Sequence, residues 1–282
     1  MKRVIYSLYI DIPSEELDDQ PPHWNSKIPK NDYAKLQFRE YYSWLKTRHE
    51  EYAKQCGVDY ILYEYDDQYE TYKKFLNENY PQITSYNVVN FYKIRLLSDL
   101  VKEYDEVVYL DFDVVPLSDR NIFEHHDLKE GMHIMMTSDI EPPSAIHSNR
   151  SPTAKYWNTR AMCMYEGLSG KHEVFNTGII VTNREHFEKL AYYEDFDEVI
   201  KLMDELKEDN TFDLRTREMF GYDNETIWAY KTIKNQVKCV NLQSNWHHFM
   251  DKWNYIPKGT DLVHVINKRF DYVKNWYEKT HL

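Results

Sequence analysis

Short apolar runs alternate with segments of helical period along this chain, and this alternation restricts the fold more than any other feature. The strand-like runs are residues 3–10, 60–63, 107–110 and 133–136. Residues 33–56 and 88–101 carry apolar side chains at helical spacing, and Gly57 stands where the first of these helices is expected to end. Strands that alternate with helices predict an α/β fold, with a mostly parallel central sheet flanked by helices.

The second half of the chain follows the same pattern less regularly. Residues 140–172 lack a clear period and predict a long irregular excursion, which in a compact domain often carries function. Residues 174–182 predict a strand, residues 184–206 one strongly charged helix, and residues 224–234 a shorter helix. Because no repeat or linker divides the chain, we expect a single domain over residues 1–282.

Charge and cysteine usage narrow the choice of partner and compartment. With 35 basic and 47 acidic residues the net charge is -12, which repels nucleic acid and anionic lipid. No stretch approaches the roughly eighteen apolar residues of a membrane span, and the first residues are interpreted as a strand, not as a signal segment. The cysteines fit neither a disulfide framework nor a metal site; they are Cys56, Cys163 and Cys239. These observations predict a cytoplasmic location.

The apolar strand at residues 107–110 ends abruptly on Asp111-Phe112-Asp113. Ligands of parallel sheets bind beyond the carboxyl ends of the strands, which is where these acids are expected to lie. Two carboxylates so close together can hold a hard cation, Mg²⁺ or Mn²⁺, which also takes phosphate oxygens. A solvated acidic turn is the alternative, but the position after a buried strand favours the metal site.

Residues 109–114, Tyr-Leu-Asp-Phe-Asp-Val, resemble the Asp-X-Asp segment of GT-A glycosyltransferases, especially the glycogenin-like family 8 group. The resemblance covers about residues 3–268, and further segments match in order. Asn176-Thr177-Gly178 is similar to the family's Asn-Ala-Gly strand, Asp223-Asn224-Glu225 to its Asp-Gln-Asp motif, and His264 to its third metal ligand. Each segment also has a structural alternative: a strand bend, the acidic first turn of a helix, and a core histidine.

The resemblance implies a single GT-A-type nucleotide-sugar-binding domain, with Mn²⁺ or Mg²⁺ as cofactor and a nucleotide sugar as donor. It implies a nucleotide-binding part at about residues 1–115 and an acceptor-side part at about residues 116–282. It assigns the metal to Asp111, Asp113 and His264. It assigns catalytic positions to Asp223, Glu225 and Asn176. It assigns donor contacts to Tyr9, Lys93, Arg95, Phe112, Asp139, Gly178 and Lys268.

The chain departs from the family pattern in two places. Asn267 stands where the family's histidine motif has a glycine, so that the basic residues around Lys268 come early. Glu225 replaces the last acid of Asp-Gln-Asp and is one methylene longer.

The expected reaction moves a sugar from a nucleotide diphosphate donor, a UDP-sugar, to a hydroxyl of a carbohydrate or glycan acceptor. Retention of configuration is what the resemblance implies; inversion would require Asp223 or Glu225 as general base. Other classes with clustered acids or many aromatics are a metal-dependent nucleotidyltransferase or phosphohydrolase and a non-catalytic carbohydrate-binding protein. Donor hydrolysis with and without Mn²⁺ separates these classes.

Acceptor contacts are expected from residues 140–172, Trp157 among them, or from an aromatic group in which the side chains look exposed. That group is Trp246, His247, His248 and Phe249.

The pairs His125-His126 and His247-His248 are interpreted as surface or acceptor-site residues and not as zinc ligands, because histidines that are neighbours in sequence rarely point to one ion. Asn224-Glu225-Thr226 also fits the acceptor sequence for Asn-linked glycans, and a glycan there would block the cleft, which again favours the cytoplasm.

Overall fold

The computed structural model describes residues 1–17, 27–138, 140, 151–211, 217–218 and 220–281. Within these residues the strands are β1 Arg3–Leu8, β2 Asp59–Tyr63, β3 Glu106–Leu110, β4 Val114–Pro116, β5 Met132–Thr137, β6 Val174–Asn183, β7 Cys239–Asn241, β8 His248–Phe249 and β9 Leu262–His264. The helices are α1 Lys30–Cys56, α2 Asp67–Asn79, α3 Tyr86–Leu100, α4 Ile122–His125, α5 Pro152–Tyr165, α6 Arg184–Leu190, α7 Phe196–Glu208, α8 Asn224–Lys234 and α9 Phe270–His281. A short 3₁₀ turn lies at Ser14–Glu16.

The central sheet has the strand order β2-β1-β3-β6-β5-β7. Only β6 runs against its neighbours, since it pairs antiparallel with both β3 and β5 while the other pairings are parallel. The predicted α/β fold with a mostly parallel sheet is therefore confirmed. A second sheet has the order β4-β9-β8 and packs beside the end of β3.

Both faces of the central sheet are covered by apolar side chains. On β1, Val4 and Tyr6 belong to the larger core cluster with α3, α7 and α8, whereas Ile5 belongs to a second cluster with the end of α1. Strand β3 alternates in the same way, with Val107 on the first face and Val108 on the other. Burial on both faces explains why these strands appear in the sequence as continuous apolar runs.

Several predicted elements are confirmed and others are corrected. Helix α1 ends at Gly57, which adopts φ 69° and donates its N–H to the last turn, as a left-handed cap requires. The single helix expected at residues 184–206 is wrong, because Ala191 (φ 49°) and Asp195 (φ 51°) turn the chain and divide it into α6 and α7. The irregular excursion expected at residues 140–172 is also wrong in part, since α5 occupies residues 152–165.

Helix α5 begins where the side chain of Ser151 accepts a hydrogen bond from the N–H of Ala154, with Pro152 in the first turn. Both are ordinary signals of a helix N-terminus. The preceding prolines obscured them in the sequence pattern. Helix α2, capped by Asp66, was not predicted at all. No helix in the described part of the chain is both long and apolar enough to cross a membrane.

Gly131 precedes β5 and holds it beside β7. Its φ is +142°, and a Cβ there would stand 2.5 Å from the carbonyl oxygen of Lys238. Gly131→Ala is expected to lower the free energy of unfolding by at least about 3 kcal/mol. The strained backbone conformation and the overlap of the new Cβ with a backbone oxygen each cost free energy, and these costs add. Gly57→Ala, with nothing within 4 Å of a new Cβ, serves as the control and should cost only about 1 kcal/mol. Equal losses in urea unfolding would contradict this account.

Candidate functional site

The Asp-X-Asp segment lies where the two sheets meet. The N–H of Asp111 donates to the carbonyl of Gly178 on β6 at 2.7 Å, and the chain then turns directly into β4. Strand β4 pairs antiparallel with β9, so that Val114 lies opposite His264. This register brings His264 beside the two acids, and the potential ligand atoms of Asp111, Asp113 and His264 lie within 4.8 Å of one another.

The three groups are turned towards a common point. His264 Nε2 lies 3.4 Å from Asp113 Oδ1 and 3.7 Å from Asp111 Oδ2. The remaining oxygens have other partners: Asp111 Oδ1 accepts from Tyr109 at 2.5 Å and from Lys93 Nζ at 3.4 Å. Asp113 Oδ2 accepts from Lys268. Each carboxylate therefore presents one oxygen to the imidazole and has the other held by a neighbouring donor.

A second histidine fixes the imidazole of His264. His247 Nε2 lies 3.0 Å from His264 Nδ1, and both rings are buried. Burial lowers the pKa of His247 well below its ordinary value, so its ring stays neutral. When His247 accepts the proton of His264 Nδ1, the lone pair of His264 Nε2 faces the two carboxylates.

Gly178 makes this close approach possible. A Cβ at this position would stand 2.5 Å from Cε1 and 2.8 Å from Nδ1 of His264. Asn176 supports the same turn, because its Oδ1 accepts the N–H of Gly178 at 2.9 Å. Both residues predicted from the Asn-Thr-Gly match thus lie behind the histidine and act on its position.

Cations balance the buried acids. Burial alone would raise the pKa of Asp113, but the charge of Lys268 and the neighbouring ring of His264 hold it far below its usual range. Lys268 adopts φ 55°, an uncommon value for a residue with a side chain, and so places its ammonium over the Phe38 ring as well as against Asp113. Asp113 is therefore ionised at any physiological pH.

Asp223 and Glu225 begin α8 and line the same site. Asp223 caps the helix, since its Oδ1 accepts the N–H of Glu225 and of Thr226, both at 3.0 Å, and its Oδ2 accepts the hydroxyl of Thr226 at 2.6 Å. Burial raises its pKa. Glu225 Oε1 accepts the N–H of Thr177 at 2.8 Å, and its Oε2 accepts from Lys155. Burial would raise the pKa of Glu225, but Lys155 outweighs it and the pKa is lowered.

Lys155 was not predicted as a site residue, and Asn224 was placed in the cleft only through the argument about a glycan. Lys155 lies on α5, in the segment expected to be irregular, so no periodicity indicated which way it points. Asn224 is buried and its side-chain N–H donates to the hydroxyl of Thr177 at 2.8 Å. The signal for Asn224 was in the sequence, as the middle residue of the Asp-Asn-Glu match.

These groups surround a cavity of about 440 Å³. Of the predicted residues, the lining includes Tyr9, Lys93, Asp111, Phe112, Asp113, Asp223, Glu225, His264 and Lys268. The end of β1 and the first turns of α1 close the other side, where the rings of Tyr9 and Phe38 pack against Phe112. Residues on both sides of position 115 line the cavity, and the division of the chain into donor and acceptor parts stays a prediction.

Other predicted residues lie elsewhere. Arg95 is two residues beyond Lys93 on α3, exposed, and paired with Asp99 at 3.1 Å on its own helix, so it does not line the cavity. Asp139 lies outside the described residues.

The aromatic group at residues 246–249 is less exposed than expected. Trp246 is only 3% exposed and packs against His125 and His126, while His247 supports His264. His248 is half-buried and its Nε2 lies 2.8 Å from the carbonyl oxygen of Tyr255. The expectation that Trp246, His126 and His247 have exposed side chains is therefore wrong, because Trp246 packs against His125 and His126, and His247 packs against His264. A contact of this group with the acceptor stays a prediction.

The buried pair of Lys155 and Glu225 makes a testable contribution to stability. Lys155→Met leaves a buried carboxylate without its cation, and we expect a loss of about 3 kcal/mol at pH 7. In the wild type the lowered pKa of Glu225 stabilises the fold at pH values above the pKa that this residue has in the unfolded chain. In the variant unopposed burial raises that pKa, so the loss should shrink below about pH 4, where Glu225 becomes neutral.

Urea unfolding of Lys155→Met, Glu225→Gln and the double variant measures this coupling. The double variant should lose less than the sum of the single variants. Lys201→Met, which breaks an exposed pair with Glu205, is the control and should change little. Strict additivity and a loss independent of pH would show that the two charges are not coupled.

Similar folds occur among solved glycosyltransferases. Mouse xyloside xylosyltransferase 1 is 11% identical, with 94% of this chain and 98% of that chain covered and a TM-score of 0.46. A glycosyltransferase involved in the glycosylation of the major capsid of PBCV-1 is 14% identical, with 99% and 100% covered and a TM-score of 0.45. Galactosyltransferase LgtC, in complex with donor and acceptor sugar analogs, is 12% identical, with 93% and 86% covered and a TM-score of 0.46.

A comparison with curated proteins gives no significant match. The family assignment rests on the model of glycosyl transferase family 8, which matches residues 23–278 and so spans most of the chain. This match confirms the resemblance drawn from the Asp-X-Asp segment and the motifs that follow it. The chain belongs to glycosyl transferase family 8 and is a glycosyltransferase.

Proposed function

We propose that the protein transfers a sugar from a nucleotide diphosphate donor, a UDP-sugar, to a hydroxyl of a carbohydrate acceptor, and that it requires a divalent cation. Family membership supports sugar transfer. One observation carries the requirement for a cation: Asp111 Oδ2, Asp113 Oδ1 and His264 Nε2 face one another, while the other atom of each group is held by a neighbour.

The three ligand atoms fit Mn²⁺ or Mg²⁺. Two carboxylate oxygens and one imidazole nitrogen are hard to borderline ligands, and they leave room in the coordination sphere for phosphate oxygens and water. The hydrogen bond that His264 Nδ1 donates to His247 is the outer support that metal-binding histidines ordinarily have. When bound, the cation would neutralise the charge that develops on the leaving diphosphate.

The rest of the cavity suits the other parts of a nucleotide sugar. Lys93 and Lys268 add positive charge beside the acids, although each is already paired with one of them. The aromatic wall of Tyr9, Phe38 and Phe112 offers flat apolar faces for a nucleobase. Glu225 and Asn224 also line the cavity, where Glu225 would accept hydrogen bonds from sugar hydroxyls and Asn224 would donate to them.

The hydrogen bonds of the two acids on α8 favour retention over inversion. An inverting transferase needs a carboxylate that takes the proton of the acceptor hydroxyl. Both oxygens of Asp223 are engaged in capping α8, and both oxygens of Glu225 have donors in Thr177 and Lys155. Either acid would have to give up a structural contact before it could act as a base. The proton of the acceptor then goes to the departing diphosphate oxygen as the new bond to the anomeric carbon forms.

The cytoplasmic location stays a prediction. Two observations support it: Asn224, the glycan acceptor of the sequence motif, is buried in the site, and the cysteines are free.

Replacement of the acids tests the metal directly. Asp111→Asn and Asp113→Asn each remove one anionic ligand and should lower donor hydrolysis at least a hundredfold while preserving the circular dichroism spectrum. In the wild type, Mn²⁺ with a UDP-sugar should raise the melting temperature, and both variants should lose this shift. His264→Ala should weaken Mn²⁺ binding and donor binding together.

Asp99→Asn is the matched control, because Asp99 lies on the outer side of α3 and pairs with Arg95. It should keep both hydrolysis and the thermal shift. The requirement for a cation is refuted if Asp111→Asn retains wild-type turnover at saturating donor, or if chelation of all divalent cations leaves the wild type fully active.

Lys93 and Arg95 give a comparison within one helix. Lys93 Nζ reaches Asp111 in the cavity, whereas Arg95 points away from it. Lys93→Met should weaken UDP-sugar binding by about tenfold or more, and Arg95→Ala should leave it unchanged, as measured by isothermal titration in Mn²⁺. An equal loss in both variants would place Arg95 at the donor after all.

A further inference from the structure

The cavity of about 440 Å³ around Asp111, Asp113 and His264 is called the donor cavity below. A second cavity, of about 900 Å³, is lined in part by the same helices. It is bounded by the carboxyl end of β5, the start of β6, helix α5 and the second half of α8. Side chains that face it include Ser138, Tyr156, Trp157, Glu173, Phe175 and Ile233. Its volume is in the range of sites that bind ligands of several rings.

Helices α5 and α8 contribute residues to both cavities. On α5, Lys155 faces the donor cavity, while the next residues, Tyr156 and Trp157, face the second one. On α8, Glu225 lies in the first and Ile233 in the second, two turns further along.

Strand β6 shows how far the second cavity lies from the metal ligands. Phe175 lines the second cavity and stands three residues before Gly178, which contacts Asp111. At the rise of a β-strand this distance is roughly 10 Å, about the length of two linked sugar units.

The lining of the second cavity suits a saccharide. The rings of Tyr156 and Trp157 meet at 5.3 Å edge to face, and Tyr156 stacks on His172 at 4.4 Å. His172 is fixed in turn, because its ring nitrogens lie 3.0 Å and 3.1 Å from the carbonyl oxygens of Tyr156 and Glu173. The aromatic faces are thus held in place before a ligand arrives.

Polar groups border these rings. The hydroxyl of Ser138, the ammonium of Lys171 and the carboxylate of Glu173 offer donors and an acceptor. Sugars present apolar ring faces edged by hydroxyls, so they match a rigid aromatic wall with a polar border. A cationic or anionic ligand is less well matched, because the opposite charges of Lys171 and Glu173 leave no net charge to attract it.

We propose that this second cavity binds a sugar unit of the acceptor that lies behind the unit that receives the transferred sugar. The proposal rests on the function proposed above. It implies that an oligosaccharide is a better acceptor than a single sugar, because only the longer chain reaches from the metal ligands to Trp157.

Glycan binding without donor tests the cavity separately from the reaction. The fluorescently labelled wild type is applied to an array of mono-, di- and trisaccharides, and the dissociation constant of the best oligosaccharide is then measured by titration. We expect binding of oligosaccharides and at least tenfold weaker binding of the corresponding monosaccharides. A wild type that binds no glycan of the array, or binds single sugars equally well, overturns the proposal.

Variants then locate the binding. Trp157→Ala removes an aromatic face and Ile233→Trp fills the cavity, so each should weaken oligosaccharide binding about tenfold. Tyr165→Ala is the matched control, since Tyr165 is an exposed aromatic residue near the end of the same helix and does not line the cavity. Trp157→Phe keeps an aromatic face and should therefore retain part of the affinity that Trp157→Ala loses. Circular dichroism verifies that each variant is folded.

Donor hydrolysis in Mn²⁺ separates the two proposals. It should be unchanged in Trp157→Ala and Ile233→Trp, because neither residue lines the donor cavity. Absence of hydrolysis in the wild type contradicts the proposed function, whereas normal hydrolysis with unchanged glycan affinity in both variants contradicts the second site alone.

Discussion

The short antiparallel pairing of Val114–Pro116 with Leu262–His264 is the constraint on which the site depends. These segments are about 150 residues apart in the chain, and their pairing alone puts His264 beside Asp111 and Asp113. Each further contact refines this placement: Gly178 leaves the space that the imidazole occupies, and His247 fixes its orientation. The strands are only three residues long, so the apolar side chains that bury them supply much of the stability of the pairing.

Placing anionic groups together in an acidic protein requires local cations. Lys93 contacts Asp111, Lys268 contacts Asp113 and Lys155 contacts Glu225, so each of these acids has its own lysine. The lysines beside Asp113 and Glu225 lower the pKa of these two acids, although burial opposes their charge. The three lysines also reduce the repulsion between these acids and the anionic nucleotide of the proposed function.

Helix α5 connects the donor cavity with the second cavity. Its first turns carry Lys155 towards the acid on α8 and the aromatic pair Tyr156 and Trp157 away from it. A single helix thereby contacts both the donor site and the proposed acceptor site.

The sequence by itself determined the central strands, the cap at Gly57 and the two acids after β3, because burial on both faces and a carboxylate pair at a strand end leave local patterns. It also supplied the order of motifs that identified the family. The sequence left open the presence of α5 and the direction of its side chains, because the prolines before it masked its period. It wrongly predicted one helix where α6 and α7 lie, because the turn with positive φ at Ala191 and Asp195 interrupts a helical pattern that continues through it. The position of Lys155, the burial of Trp246 and the support of His264 by His247 were decided only by the tertiary structure. These contacts join residues 17 to 121 positions apart, and such pairings leave no mark in a local pattern.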